Sequence, residues 1–544
     1  MFKQKNMKKF NEALKVLMEI YPPYILMLVF TPIVTGLIID YDLFDSRDIA
    51  INLAWIPLLT IPGVLLKKRC VFQLISVFYF IVGLIEIGHW IILKGPITIT
   101  SLLVMSNTNL PETIEYFDLK ATSGLLILIP YVFIFILSLR KKPKYFQSQT
   151  RKFIIGFVLL IATVFVLENL INERLIRKGV PQIAKVTFSF IEKRNLYLES
   201  MKETAPRKVN ANSTLSEDKH IFVLILGESC NREHMSLYGY TRKTNPRLEN
   251  RDDLIVYKDV VSAYSNTLNS VLSMLSVSNI EQPSTFENSI DIIDIFHSAG
   301  YKTYWISNQS PIGIWDNLVT VFAKKSDYFK FVNTSSNSSF EAILTTSYDA
   351  KLFTPFAKVL NEDVNRKFIV LHLMGSHSSY KKRYPSDFNI YSGENKKEQT
   401  IAEYDNSILY NDFVVDSLLN MITNYSQQLN VMINAIYISD HGENIYDELD
   451  RVGHDYSSKL PKANVEIPFI IWFSEIYNHL YPNKASMVKS NKNMPFVSDD
   501  LFHSIIDFNG IQSQYVETER SIFSDRFNEK RKRFLEDGKD YDKE

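Results

Sequence analysis

Three apolar runs of strand length after residue 219 end in residues that could bind a metal ion, and a fourth such run ends in a polar residue. These polar residues lie just beyond each run: Glu228 after 221–226, His377 after 368–373, Asp440 and His441 after 435–438, and Asn308 after 303–306. Carboxylates and imidazoles suit Zn²⁺ or Mn²⁺ without any thiolate. A single acid after a strand is usually a helix N-cap. The prediction of a metal site therefore depends on the coincidence of several such strand ends.

A hydroxyl-rich segment, residues 262–275, leads into a predicted apolar helix between the first and fourth runs. The free N–H groups and the dipole at a helix N-terminus favour an anion, so a hydroxyl there can become an alkoxide and also hold a phosphate. Metal coordination would lower its pKa further and give a nucleophile at neutral pH. Composition does not choose among three hydroxyls, each of which could equally be an N-cap: Ser265, Thr267 and Ser270.

The elements that must position these residues alternate between strand and helix patterns from His220 onward. That alternation predicts an α/β fold with a mainly parallel central sheet. The carboxyl ends of parallel strands share one edge of such a sheet, where ligands bind. We therefore expect the strand ends to lie together in a catalytic domain formed by residues 219–514, followed by a charged C-terminal tail at 515–544.

The first third of the chain has a different texture, although the mean hydropathy of the whole is only -0.05. Five apolar runs approach the ~20 residues that a helix needs to cross a membrane. They are 24–39, 49–66, 71–93, 124–139 and 153–170. We expect a transmembrane domain of five helices within residues 1–172. The alternative is the buried core helices of a soluble bundle. Such helices would tolerate polar residues on one face, whereas these five runs contain almost none.

Charged residues in the loops predict the orientation of these helices. Lysine and arginine lie in the N-terminal segment and in the second and fourth connections, whereas the first connection carries four aspartates. By the positive-inside rule, the basic loops are cytoplasmic and an odd number of spans exports everything after residue 170. Residues 173–218 then comprise a juxtamembrane segment, which is either an amphipathic helix or a plain tether, and a polar linker. Glu86 and His89, within the third run, are candidates for a lipid headgroup or hydration site.

Three sequence motifs resemble those of the phosphoethanolamine transferases, membrane-anchored enzymes of the alkaline phosphatase and sulfatase superfamily. They are 227–240 followed by Thr244-Asn245-Pro246, 372–377 followed by Arg383-Tyr384-Pro385, and 439–443. The helix motif at 403–410 is also similar. Because five spans before an exported catalytic domain is this family's layout, the resemblance covers nearly the whole chain.

The resemblance implies a zinc site and a nucleophile. One zinc ion, with a second ion as an option and manganese as an alternative, would be held by residues matching the family's ligands: Glu228, Asp440, His441 and the nucleophilic threonine. The family pattern Thr-x-x-Ser-x-x-x-Met fits Thr267, Ser270 and Met274, which selects Thr267 from the three hydroxyls.

Three further residues match family positions that bind a second zinc ion or the substrate. His377 and His454 align with two histidines, and Glu112 aligns with a periplasmic-loop glutamate. Glu112 lies between the third and fourth runs, in a loop that the charge rule independently places on the exported side. An ordinary acid at the start of a helix is the alternative for Glu112.

The function implied by the resemblance is transfer of phosphoethanolamine from phosphatidylethanolamine to lipid A or the lipopolysaccharide core. The route is a zinc-activated threonine and a covalent phosphoethanolamine-enzyme intermediate. The expected location is the bacterial inner membrane, with the lipid bilayer as a partner, the catalytic domain in the periplasm, and a monomeric chain. With 60 basic and 60 acidic residues, the chain offers no global charge for nucleic acid.

The alternatives are a phosphoglycerol transferase, another hydrolase of the sulfatase superfamily, or a non-catalytic membrane sensor or scaffold. A sulfatase needs a Cys/Ser-x-Pro-x-Arg context, which the sequence after Cys230 does not provide. The only other cysteine, Cys70, borders a cytoplasmic loop, so the two cannot pair within one chain. Lipid A-modifying members usually carry several exported cysteines, and the acceptor therefore stays open among lipid A, a core sugar and another glycan.

Overall fold

The computed structural model describes residues 23–39, 69–93, 126–140, 205–284, 289–309, 318–333, 347–454 and 460–543. The chain divides into two compact units, one comprising 1–105, 120–193 and 456–458, the other 106–119, 194–455 and 459–544.

Helices form the described part of the first unit: α1 Pro23–Ile39, α2 Arg69–Leu93 and α3 Leu128–Arg140. The hydroxyl of Tyr131 lies 2.9 Å from the carbonyl oxygen of Leu28 and 3.1 Å from that of Tyr79, so it joins the three helices. In the portion of the chain that is described, we find no helix with the combined length and apolarity that a membrane span requires. The five predicted spans are therefore not shown, and the runs 49–66 and 153–170 lie outside the described residues.

The second unit contains short and long strands in the described residues: β1 Ala211–Ser213, β2 His220–Gly227, β3 Ile255–Tyr257, β4 Val260–Val261, β5 Lys302–Ser307, β6 Tyr328–Phe331, β7 Arg366–His372, β8 Met432–Ser439, β9 Asn444–Ile445, β10 Val452–Gly453, β11 Phe469–Phe473, β12 Phe496–Val497 and β13 Ile511–Ser513. Its helices are α4 Thr267–Leu275, α5 Ile292–Ser298, α6 Leu318–Lys325, α7 Phe353–Leu360, α8 Lys396–Leu429, α9 Glu475–Leu480, α10 Pro482–Ser490 and α11 Leu501–Phe508.

Seven of these described strands form one central sheet in the order β3-β11-β8-β2-β7-β5-β6. The pairs from β8 through β6 are parallel, whereas β11 runs antiparallel to both of its neighbours. The α/β fold predicted from the sequence is confirmed. The sheet is mixed, however, and the antiparallel direction of β11 was not predicted.

The central strand β2 is buried along its whole length because helices cover both faces of the sheet. Its side chains alternate between two apolar cores, as the two-residue period of a strand requires. Phe222 and Leu224 join the core that contains Met274 of α4, and Val223 and Ile225 join the core that contains Leu418 of α8.

The pairing registers place the predicted strand ends at one edge of the sheet. Leu226 of β2 lies beside His372 of β7, and Gly227 lies beside Ser439 of β8. Ser307 of β5 also lies beside His372, on its other side. The loops that follow β2, β5, β7 and β8 therefore begin close together.

Residues 515–543, which the sequence predicts as a charged tail, belong to the second unit and pack against the rest of it. Ile522 and Phe523 are fully buried. Arg531 pairs with Asp499 at 2.9 Å, and Arg533 pairs with Asp259 at 2.6 Å. The domain boundaries drawn from the sequence stay predictions.

Candidate active site

Glu228, Asp440 and His441 lie together, buried, just beyond the ends of β2 and β8. One ligand atom of each lies within 4.8 Å of the others. The Nε2 atom of His441 is 3.4 Å from Oε1 of Glu228 and 3.5 Å from Oδ2 of Asp440. Three residues from two strand ends therefore converge closely enough for one cation to contact all of them.

The hydrogen bonds of Asp440 test whether this group fits a metal ion. Its Oδ1 accepts the backbone N–H groups of Ser229 at 3.1 Å and His441 at 2.7 Å. Its Oδ2 is buried and has no hydrogen-bond partner among the described residues. A buried carboxylate oxygen left in this way is costly, and a divalent cation would satisfy it. The residues present fit a metal ion.

Thr267 is the first residue of α4, and its hydroxyl reaches the same group. Oγ1 of Thr267 lies 3.2 and 3.3 Å from the two carboxylate oxygens of Glu228, and 3.3 Å from Nε2 of His441. Asn266 caps the helix, because its side chain accepts the N–H of Asn269. The hydroxyl thus lies at the positive end of the helix dipole.

The other two hydroxyl candidates make different contacts. Ser270 donates to the carbonyl of Tyr264 at 3.0 Å, and Ser265 donates to Glu536 at 2.5 Å. Among the three hydroxyls that the sequence leaves open, the structure brings Thr267 to the carboxylates and the imidazole.

Electrostatic coupling within the group favours a cation. Burial raises the pKa of Glu228, but the hydrogen bond and charge of His441 outweigh burial and hold that pKa well below its usual range. Burial and the charge of Glu228 raise the pKa of Asp440 to about 7. Burial lowers the pKa of His441, yet Asp440 and Glu228 together raise it to about 10. A metal ion would take the place of the proton that stabilises these carboxylates.

His454 adjoins this group and is oriented by Glu443. Nδ1 of His454 lies 2.8 Å from Oε2 of Glu443, and the Tyr380 hydroxyl donates to Oε1 of Glu443 at 2.7 Å. The rings of His441 and His454 have centroids 4.5 Å apart. His441, Glu443 and His454 also form a second set of possible metal ligands. Glu443 was missed as a site residue, although it lies in the third motif, two residues beyond His441.

His377 follows β7 and lies near enough for its charge to lower the pKa of Glu228. Asn308 does not contact this carboxylate: its buried amide donates to the carbonyl of Ser347 and to Asp349. The next residue, Gln309, places Nε2 at 3.4 Å from Oε2 of Glu228, and sequence reasoning missed it.

Gly375 lets the loop after β7 approach Glu228 closely. Its φ is 53°, and a Cβ atom at this position would lie 2.6 Å from the carbonyl oxygen of Glu228. A side chain here would therefore strain the backbone and push the two loops apart. The close approach to Glu228 therefore explains why the second motif has a glycine at position 375.

The structure does not test the predicted roles of the three remaining site residues. Glu112 lies outside the described residues. Glu86 and His89 are buried in α2 of the first unit, and their predicted roles stay predictions.

Comparisons with known proteins give one matching family model and several related transferases. The sulfatase family model matches residues 220–511. Phosphoethanolamine transferase EptC of Escherichia coli K12 is 27% identical over 523 residues, covering 89% of this chain and 88% of that protein. Phosphoethanolamine transferase CptA of Salmonella typhimurium is 28% identical over 506 residues, covering 87% and 85% respectively.

Two solved structures are also similar. The C-terminal periplasmic domain of EptC from Escherichia coli, in complex with Zn, has a TM-score of 0.56 and 28% identity, covering 62% of this chain and 97% of that one. The integral membrane protein EptA from Neisseria meningitidis, a lipooligosaccharide phosphoethanolamine transferase, has a TM-score of 0.67. At 19% identity, over 91% of this chain and 97% of that one, the second similarity supports the fold.

Proposed function

The chain belongs to the sulfatase family and to the phosphoethanolamine transferases within it, and from this premise we propose that it transfers phosphoethanolamine from phosphatidylethanolamine to lipid A or the lipopolysaccharide core. The observation that carries the proposal is the position of Thr267. Its hydroxyl lies at a helix N-terminus, within 3.3 Å of Glu228 and His441. A helix N-terminus favours both an oxyanion and a phosphate group.

The proposed metal is zinc, held by Glu228, Asp440, His441 and Thr267. The Oδ2 atom of Asp440, which is buried without a hydrogen-bond partner among the described residues, supports a cation, and the complex of the EptC domain with Zn supports its identity. When bound, zinc lowers the pKa of a coordinated hydroxyl and neutralises charge on phosphoryl oxygens. His377, His454 and Glu443 are proposed to hold a second ion or the substrate phosphate.

In the first step, the Thr267 hydroxyl loses its proton to solvent and its Oγ1 attacks the phosphorus of phosphatidylethanolamine. The bond from phosphorus to the glycerol oxygen breaks, diacylglycerol leaves, and phosphoethanolamine stays on Thr267 as an ester. In the site without a second ion, His454, held by Glu443, protonates the leaving alkoxide.

In the second step, an acceptor hydroxyl or phosphate attacks the same phosphorus from the opposite side. His454 now accepts the acceptor's proton. The bond between phosphorus and Oγ1 of Thr267 breaks, and Thr267 takes a proton from solvent, which restores its hydroxyl. The residues act mainly by positioning and by stabilising charge, as phosphoryl transfer requires.

The proposed setting is the bacterial inner membrane. Five apolar runs within residues 1–172 would anchor the chain, and the basic loops would leave residues 219–514 in the periplasm. A tether at the membrane suits the reaction because both donor and acceptor are lipids. Glu112 is proposed to bind the substrate or a second metal ion in the exported site. Glu86 and His89 are proposed to form a lipid headgroup or hydration site, and the chain is proposed to act as a monomer.

Mass spectrometry of envelope lipids and glycans tests this proposal. Cells that express the protein should gain a phosphoethanolamine-sized addition, and cells that express Thr267→Ala at the same level should not. An addition that persists in the variant would contradict the mechanism. A phosphoglycerol-sized addition would instead select the alternative transferase.

A further inference from the structure

Glu536, from the segment predicted to be a charged tail, contacts the turn that carries Thr267. Its Oε1 accepts the backbone N–H of Ser265 at 3.0 Å and the Ser265 hydroxyl at 2.5 Å. Its Oε2 lies 3.4 Å from Nδ2 of Asn266. Both turn residues immediately precede Thr267, so one carboxylate binds the turn at three points.

These contacts bear on the geometry of the helix cap. The Oδ1 atom of Asn266 accepts the N–H of Asn269 at 3.1 Å, and this bond begins α4 at Thr267. The contact of Nδ2 with Glu536 holds the amide in the orientation that presents Oδ1 to the helix. The backbone N–H of Glu536 also donates to the carbonyl of Ala263 at 3.0 Å. Both the carboxylate and the backbone of Glu536 thus form hydrogen bonds with the turn formed by residues 263–266.

Neighbouring contacts hold Glu536 itself in place. Leu535 is buried, and its N–H donates to the carbonyl of Lys539 at 2.9 Å in a tight turn. Arg533 is buried and pairs with Asp259, just before β4, and with Asp542. We call residues 533–542 the C-terminal clasp. The clasp is anchored on both sides of Glu536, so its carboxylate has a fixed position from which to hold the turn.

We propose that Glu536 is a positioning residue for the transfer reaction and fixes the direction of Oγ1 of Thr267 through the turn at Ser265 and Asn266. This inference rests on the proposed function, because it assumes that Thr267 is the nucleophile. The three motifs that resemble the family do not include the clasp. A nucleophile displaced by about 1 Å loses on the order of a hundredfold in rate.

The test uses the full-length chain in lipid nanodiscs, with phosphatidylethanolamine as donor and purified lipopolysaccharide as acceptor. The variants are Glu536→Ala, Glu536→Gln, Ser265→Ala and the double variant Ser265→Ala/Glu536→Ala. Glu529→Ala is the matched control, because Glu529 also lies in the predicted tail at 515–544, but outside the clasp, and is exposed. Zinc content and the fraction of folded protein are measured for every variant.

Glu536→Ala is expected to lower kcat by about ten- to a hundredfold with KM within about twofold, and to slow modification of Thr267 by the same factor. Glu536→Gln should lose less, because its amide oxygen still accepts a hydrogen bond from Ser265. The double variant should lose no more than Glu536→Ala alone, since both changes remove one shared contact. Amide exchange in the metal-free protein should be faster at Ser265 in Glu536→Ala than in Glu529→Ala.

Several results would overturn the inference. A kcat for Glu536→Ala within twofold of that for Glu529→Ala would do so, as would a loss that merely follows the loss of zinc or of folded protein. Losses that multiply in the double variant would show two independent effects. If the wild-type chain itself gains no adduct on Thr267, the proposed function fails and this inference fails with it. An adduct in wild type and an equal rate in Glu536→Ala removes this inference alone.

Discussion

His234 is held between two carboxylates from separate segments of the second unit. Its Nδ1 lies 2.7 Å from Asp405 of α8, and its Nε2 lies 3.0 Å from Asp447, between β9 and β10. Asp405 also accepts hydrogen bonds from Tyr240 and Arg242. Only the protonated imidazole donates from both nitrogens at once. We therefore expect His234 to be charged in the folded protein and to join three segments.

The size of this effect follows from the pKa of His234. Burial lowers that pKa, but the hydrogen bonds and charges of Asp405 and Asp447 outweigh burial and raise it from 6.5 to about 9. A shift of about 2.5 units at ~1.4 kcal/mol per unit is worth about 3 kcal/mol of folding stability. Since the folded pKa lies above the unfolded one, this contribution is complete below pH 6.5 and is lost as pH rises through about 9.

Urea titrations with pulse proteolysis of the full-length chain, between pH 6 and pH 10, measure this effect. The difference in the free energy of unfolding between wild type and His234→Gln should shrink by about 3 kcal/mol over that range. His297→Gln is the control, because His297 lies at the surface beside Asp327. A His234→Gln difference that stays constant with pH, or one that grows toward pH 10, would refute the reasoning.

Three further predictions concern the active site. Metal removal by a chelator should abolish transfer and lower the thermal unfolding midpoint, because the buried carboxylates of Glu228 and Asp440 lose the cation that would bind them, and zinc should restore both. Full activity in protein shown to be metal-free would contradict the site. Tyr380→Phe removes the hydroxyl that holds Glu443, and it should lower kcat about three- to tenfold and the free energy of unfolding by about 1 kcal/mol. A change in KM alone would contradict the role of Tyr380 in orienting Glu443. Gly375→Ala should destabilise the protein by at least about 1 kcal/mol in a urea titration and weaken zinc binding, and a neutral effect on both would show that the loop tolerates a side chain.

The strand ends could be predicted because their determinants are local. Apolar runs mark β2, β7 and β8, and parallel pairing of such runs brings their carboxyl ends to one edge whatever the rest of the chain does. The direction of β11 could not be predicted, because Phe469–Phe473 is an apolar run whose pattern is compatible with either strand direction. Its antiparallel direction appears only in its pairing with β3 and β8, whose residues are distant in sequence.

Side-chain contacts were harder to predict than strand ends. Asn308 and Gln309 both follow β5, and the one that reaches Glu228 depends on the exact path of the turn. Glu536 has no local signal at all, because its charged surroundings in sequence resemble a solvated tail. Its contact with Ser265 depends on the packing of the clasp, which the sequence pattern does not reveal.

Mass spectrometry of the peptide that carries Thr267 tests the central claim most directly. The full-length protein is mixed briefly with phosphatidylethanolamine, quenched in acid and digested. The account predicts phosphoethanolamine on Thr267, its disappearance when acceptor is added before quenching, and its absence from Thr267→Ala and from metal-depleted protein. Transfer to the acceptor without any adduct on Thr267, or an adduct on a different residue, would contradict it.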